Sequence, residues 1–378
     1  MIEDFINDNY DDLLSLLETL CKIPAPSNDE GKRASFCKEW LEKCGYKPYI
    51  DEALNVILPL NCEHNNKITV FAAHTDTVFP NIESMPYIDD GEKIHCPGCG
   101  DDTASLAVLL YLAKYIKEKN IKPKNGILIV CNSGEEGLGN LKGTRKLFKD
   151  FGDRISHFIT FDSNIDIIAD RCVGSCRYKV TVKTAGGHSY LNFGNRSAIN
   201  ILSQIIQRLY NIYIPNDDNS KTTLNVGRIS GGTSVNTIAQ NAEMLCEYRS
   251  DNIEQLKHMK RAFFEIFCEA KEKGVEIETE VVGERPCAKG VVQNEIDKLK
   301  SITFEIIREV LGKDPKFTAS STDCNIPLSL GIPAICIGVY NGGGQHTREE
   351  WIEKISLKQG LEIAIRTFSS LCYDEKLQ

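Results

Sequence analysis

The chain has 378 residues, 42% hydrophobic and 26% charged, with a formal net charge of −9. Single cores stop growing near about 250–300 residues, so two domains are expected. The acidic balance argues against a nucleic-acid or anionic-membrane partner, and no apolar run reaches the roughly 20 residues of a bilayer span.

Met1 to Tyr10 carries acids where a secretory leader has a basic stretch and then an apolar one. A cytoplasmic location is therefore expected. The 15 cysteines read as small, mostly buried thiols of a reducing compartment. Cys96-Pro97-Gly98-Cys99 is a lone CxxC without a second pair at zinc-finger spacing, and its role stays open.

In chain order, Ile2 to Leu20 places Ile6, Leu13, Leu16, Leu17 and Leu20 at helical spacing. Asn28 to Leu41 reads as a second helix. Short apolar runs follow at Asn55–Leu58, Ile68–Ala73, Ile127–Cys131, Phe158–Phe161 and Ala334–Ile337. Runs of this kind suit strands covered on both faces. Thr103–Ile116 reads as a helix with one apolar face, as do Val292–Leu311 and Ile355–Phe368. Together they predict an α/β layer around a largely buried sheet.

The middle of the chain has another order. Tyr178–Thr184, Thr222–Ile229, Glu243–Tyr248 and Val275–Val282 read as strands, and Ser197–Leu209 and Ile253–Ala270 as helices. This βαββαβ order is ferredoxin-like, a complete α+β unit. The expected organisation is an α/β domain over 1–174 and 286–378, interrupted by an inserted domain over 175–285.

His74 and Asp76 follow one predicted strand, Glu135 and Glu136 another, Asp162 ends a third, and His346 follows a fourth after a Gly342-Gly343-Gly344 turn. All lie beyond carboxyl ends of strands, where open α/β sheets place their ligand crevice. Asp101 and Asp102 come just before a helix, so Asp102 also reads as a plain N-cap. Each acid pair alone reads as solvated surface. Two pairs and two His at one sheet edge are different, because buried like charges need a compensating cation. The donors suit zinc, and also cobalt or manganese. Asp76 is placed to hold the His74 ring in its metal-binding tautomer. One acid of the Glu135-Glu136 pair can bind metal while the other moves a proton.

These residues, His74-Thr75-Asp76, Gly100-Asp101-Asp102, Gly134-Glu135-Glu136-Gly137, Asp162 and Gly343-Gly344-Gln345-His346-Thr347, resemble the M20 metallopeptidases. That family includes peptidase T, dipeptidases, glutamate carboxypeptidase and deacylases. The resemblance implies a zinc-peptidase-like mixed sheet flanked by helices, with the βαββαβ insert as a lid that also forms a homodimer. It implies two divalent metal ions, with Asp101 bridging them through a cis bond to Asp102. His74 and Asp162 would complete one site, Glu136 and His346 the other. Glu135 would be the general base on a water between the metals, and Asp76 the carboxylate that orients His74. His188, in Gly186-Gly187-His188-Ser189, would steady the oxyanion, and Asn236 and Arg249 would bind substrate. Aspartate at 162 rather than glutamate goes with aminopeptidases and dipeptidases. The expected activity is hydrolysis of amide bonds in di- or tripeptides. The alternative is a deacylase or carboxypeptidase acting on N-acyl amino acids.

Overall fold

A computed structural model describes residues 2–215, 220–272, 276–290 and 293–373. The chain divides into two compact units, Met1–Cys172 with Gly290–Gln378, and Val173–Lys289.

The larger unit is built on an eight-stranded sheet. Its order is Tyr49–Ile50, Val56–Leu60, Gly126–Asn132, Ile68–His74, Ile155–Phe161, Ala334–Ile337, Ile167–Cys172, Lys316–Ser320. Four central strands run parallel, from Gly126–Asn132 to Ala334–Ile337. Antiparallel pairings to Val56–Leu60 and to Ile167–Cys172 make the whole sheet mixed. Ile68–His74 and Gly126–Asn132 are buried at every position, which explains why their sequences are unbroken apolar runs. The expected mixed sheet flanked by helices is present.

Helix Ser105–Glu118 packs on strand Ile68–His74 and against helices Ile2–Cys21, Gly31–Lys43 and Ser356–Cys372. Its residues Leu106 to Ala113 are all buried, so the single apolar face read from the sequence is a helix enclosed on nearly every side. A second sheet has the order Gly342–Gly343, Trp351–Glu353, Lys93–His95, Ile88–Asp89. It brings the segment before Asp101 beside the turn that carries His346. Of the 15 cysteines all are free thiols, and only Cys44 and Cys268 are not buried.

The smaller unit has four antiparallel strands, Gly174–Lys183, Thr222–Gly231, Asn241–Ser250 and Glu276–Arg285. Numbered along the chain, their spatial order is 2-3-1-4. Helices Ala198–Tyr210 and Ile253–Glu272 pack on it, completing the βαββαβ order. Strand Gly174–Lys183 alternates buried and half-buried residues from Cys176 onward, as a sheet covered on one face requires. Tyr178, Val180, Val182, Leu202, Tyr248 and Phe263 form part of its separate core. Among the described residues no helix is long and apolar enough to cross a membrane.

Candidate metal centre

The parallel register sets the ends of the central strands level. His74 is paired with Asn132, Ala72 with Thr160, and Ile337 with Phe161. Residues just beyond these positions therefore emerge along one edge of the sheet, so His74, Glu135, Glu136 and Asp162 converge although up to 88 positions of sequence separate them.

His74 is buried, with ring Nδ1 3.0 Å from the backbone oxygen of Asp76 and 3.4 Å from Asp76 Oδ1. Nδ1–H donates to that carbonyl, leaving the Nε2 lone pair facing Asp101. Orientation of the ring thus comes first from Asp76's backbone. The Asp76 carboxylate, beside the ring, also accepts the N–H of Glu135 on Oδ1 and of Glu136 on Oδ2, both at 2.9 Å, and the Ser27 hydroxyl at 2.7 Å. One buried acid thereby ties the His74 strand to the next ligand-bearing loop.

Asp101 lies in a single turn, Cys99–Ala104, that precedes the helix, and its peptide bond to Asp102 is cis. Asp101 Oδ1 is 3.1 Å from His74 Nε2, and Oδ2 is 3.1 Å from His346 Nε2. His346 Nε2 is also 3.0 Å from Glu136 Oε1. Asp102 does not cap the helix: its Oδ2 accepts the backbone N–H of His74 at 2.9 Å.

Three donor groups have all their ligand atoms within 4.8 Å of one another: His74, Asp102 and Asp162; His74, Glu135 and Glu136; and Asp101, Glu136 and His346. Ligands about 2.0–2.1 Å from one tetrahedral ion lie about 3.3 Å apart. The imidazole–carboxylate contacts around Asp101 have this spacing. Burial, with the charges of Asp101 and Glu135, pushes Glu136 up to about 7. Burial pushes Asp102 and Asp162 well above the usual carboxylate range. Crowded, buried carboxylates facing two imidazoles fit a divalent-cation site.

Two acids not singled out in the sequence reading support this centre. Glu350, buried, accepts the N–H groups of Gly98 at 2.6 Å and of Gly100 and Asp101 at 2.9 Å. Asp323, also buried, accepts from Asn132 and Thr144. Their only sequence signal is an acid within or beside a buried stretch.

In the smaller unit, Gly187–His188 pairs with Thr237–Ile238, and Ser189 N–H donates to the Asn236 carbonyl at 3.0 Å. His188 and Asn236 are thus neighbours. His188 Nδ1 accepts the N–H groups of Tyr190 and Leu191 at 3.2 and 3.4 Å. Arg249 is not brought to them. It lies at the far end of strand Asn241–Ser250, eight residues from Asn241, about 27 Å at about 3.4 Å per residue. Its guanidinium closes as a fork on Glu247, at 2.8 and 3.1 Å.

A mixed α/β sheet with His and carboxylate donors along its carboxyl edge has the arrangement of a divalent-metal site. The chain belongs to peptidase family M20/M25/M40, whose profile matches residues 70–371. It is similar to the Bacillus subtilis protein YqjE, 27% identical over 311 residues, 78% of this chain and 79% of that one. An M20 domain-containing protein of Schizosaccharomyces pombe is 25% identical over 266 residues, 68% of this chain. That match spans 64% of the yeast protein, just under two thirds of its length. Among solved structures, a tripeptidase from Staphylococcus aureus is 25% identical with a TM-score of 0.73, covering 95% of this chain and 98% of that one.

Proposed function

We propose that the protein is a dinuclear metal-dependent aminopeptidase acting on di- or tripeptides. The observation that carries this reading is Asp101, whose two carboxylate oxygens each face a different imidazole, His74 on one side and His346 on the other. His74, Asp101 and Asp162 would hold one ion, and Asp101, Glu136 and His346 the other. Zinc suits this donor set best, with cobalt or manganese as substitutes. When bound, the ions supply Lewis acidity, polarising the scissile carbonyl and lowering the proton affinity of the attacking water.

The chain's own residues do the rest. Glu135 takes the proton of the attacking water and delivers it to the leaving amine. Asp76 holds the backbone of both Glu135 and Glu136, so base and ligand move together or not at all. His188 has its Nδ1 occupied as an acceptor, so its neutral ring carries the proton on Nε2 and can donate it toward a developing oxyanion. Asn236 beside it supplies a side-chain amide for the substrate. Arg249 would grip a substrate carboxylate only by leaving Glu247.

The aspartate at position 162 and the likeness to the S. aureus tripeptidase support an aminopeptidase over a carboxypeptidase or deacylase. We further propose a cytoplasmic homodimer formed through the smaller unit. The test is a panel of di- and tripeptides with free and blocked N-termini, assayed on metal-loaded protein. Free N-termini are expected to be required. Equal cleavage of blocked peptides, or faster hydrolysis of acetyl-amino acids, overturns the assignment. Glu135→Gln should keep both metals and lose about 10²–10⁴ in kcat; near-normal turnover refutes Glu135 as the base.

A further inference from the structure

The segment Ser133–Leu141 carries both Glu135 and Glu136 and is a loop between strand Gly126–Asn132 and helix Lys142–Phe151. Its middle is fixed by Asp76, through the two amide N–H groups. Its ends are fixed from the other side by one side chain that the reaction scheme above leaves unused. Asp323 Oδ2 accepts the Asn132 side-chain amide at 2.5 Å, just before the loop. Asp323 Oδ1 accepts the Thr144 hydroxyl, just after it. All three residues are at most 1% exposed. Asn55 makes a neutral tie between the same ends, accepting Ser133 N–H at 3.1 Å and donating to the Gly143 carbonyl at 2.9 Å.

Burying a carboxylate costs desolvation that its hydrogen bonds must offset, and a buried network satisfied in this way rigidifies the elements it joins. Burial, and then the charge of Glu135, pushes the Asp323 carboxyl up to about 6. The two acids are therefore within electrostatic reach of each other, and Asp323 stands behind the loop that presents the base.

We propose that Asp323 is a positioning residue for Glu135: by clamping Asn132 and Thr144 it fixes both ends of the Glu135–Glu136 loop and holds Glu135 in register for proton transfer. The inference rests on the reading of Glu135 as the base. The side-chain hydrogen bonds of Asp323 go to Asn132 and Thr144, neither of which is a proposed ligand, so its effect passes through loop geometry.

Two substitutions separate the clamp from the charge. Asp323→Ala removes both acceptors. Asp323→Asn keeps two bonds, because its amide oxygen accepts from Asn132 and its amide nitrogen donates to the Thr144 hydroxyl, which reverses its role. On the metal-loaded enzyme with a tripeptide substrate, Asp323→Ala is expected to lower kcat about 10–100-fold, as displacement of a catalytic group by about 1 Å does. KM should stay within about threefold and metal content unchanged, and Asp323→Asn should restore most of kcat. Unchanged kcat in Asp323→Ala overturns the proposal. So does an Asp323→Asn enzyme as impaired as Asp323→Ala, which would assign the effect to charge. Should Asp323→Ala fail to fold or lose metal, Thr144→Val removes one donor with little change in shape. It must then lower kcat at constant metal content, and normal kcat in that variant overturns the clamp. Glu135→Gln, measured alongside, keeps the two claims apart. Normal turnover there removes the base reading, whereas normal turnover in Asp323→Ala with Glu135→Gln inactive removes this inference alone.

Discussion

Glu350 shows how a single side chain sets the geometry of the bridge. Three N–H groups of one turn, those of Gly98, Gly100 and Asp101, converge on its two oxygens. A Cβ at position 100 would come within 2.7 Å of the Tyr340 ring, so only glycine lets the loop pass this close. Replacing Glu350 by Gln keeps the size but turns an NH₂ group toward backbone donors. The Asp101 carboxylate then loses its fixed placement. Glu350→Gln is expected to weaken metal binding about 10–100-fold, as loss of a ligand's supporting hydrogen bonds does. Competition with a chromophoric chelator measures it, and unchanged affinity would refute the role. Neither Glu350 nor Asp323 was legible in the sequence, for a plain reason. Their partners lie 249 to 252 and 179 to 191 positions away. His74, Glu135, Glu136 and Asp162 were legible because each follows closely on an apolar run, where local pattern and sheet topology agree, whereas Asp101, Asp102 and His346 were marked by the glycine-containing turns that precede them.

Among the elements, those that were read correctly are those whose burial is written locally. Ala334–Ile337 matches to the residue, and the runs in Ile68–His74 and Gly126–Asn132 match to within a residue at each end. Ile167–Cys172 and Lys316–Ser320 were not seen as strands. They contain Asp170, Arg171, Lys316 and Ser320, and they lie at one side of the sheet with polar positions showing. Helix Ser105–Glu118 begins two residues later than its periodicity predicts, after the turn Cys99–Ala104, in which Asp101 and Asp102 hold non-helical backbone; the Asp101 carboxylate faces His74 and His346, and that of Asp102 accepts the His74 backbone N–H. Arg33 joins several of these elements from inside. Fully buried on helix Gly31–Lys43, it donates to the carbonyls of Leu20 at 3.0 Å, Ile23 at 2.7 Å and Thr75 at 2.9 Å, and to the Thr103 hydroxyl at 3.3 Å. Methionine fills much of the same volume but leaves these acceptors unpaired. Arg33→Met should cost about 3 kcal/mol or more, since each orphaned buried polar group costs about 1–3 kcal/mol. Urea denaturation should show a lower midpoint at constant slope; a loss below about 1 kcal/mol would mean that water replaces the guanidinium.

At the scale of the molecule, the two units have separate cores, and the proposed ligands all belong to the larger one. Metal should therefore stabilise that unit in particular. Without a cation, Asp101, Asp102, Glu136 and Asp162 stand close together in a buried setting, and folding must bear their desolvation. A ligand at about 100 times its Kd adds about 2.7 kcal/mol to the stability of the state that binds it. For a unit of this size that corresponds to a rise in Tm of about 5–10 °C. Both tryptophans, Trp40 and Trp351, lie in the larger unit, so their fluorescence follows its unfolding alone, whereas far-ultraviolet circular dichroism follows both units. Zinc added to chelator-stripped protein should raise the tryptophan midpoint by that amount. Asp101→Ala should abolish the rise, because Asp101 is the carboxylate that faces both His74 and His346. An undiminished rise in Asp101→Ala would place the stabilising ion elsewhere and remove the bridge from the proposed centre. A rise reduced by half would instead show one ion retained without the other, and would separate the two sites by their dependence on Asp101.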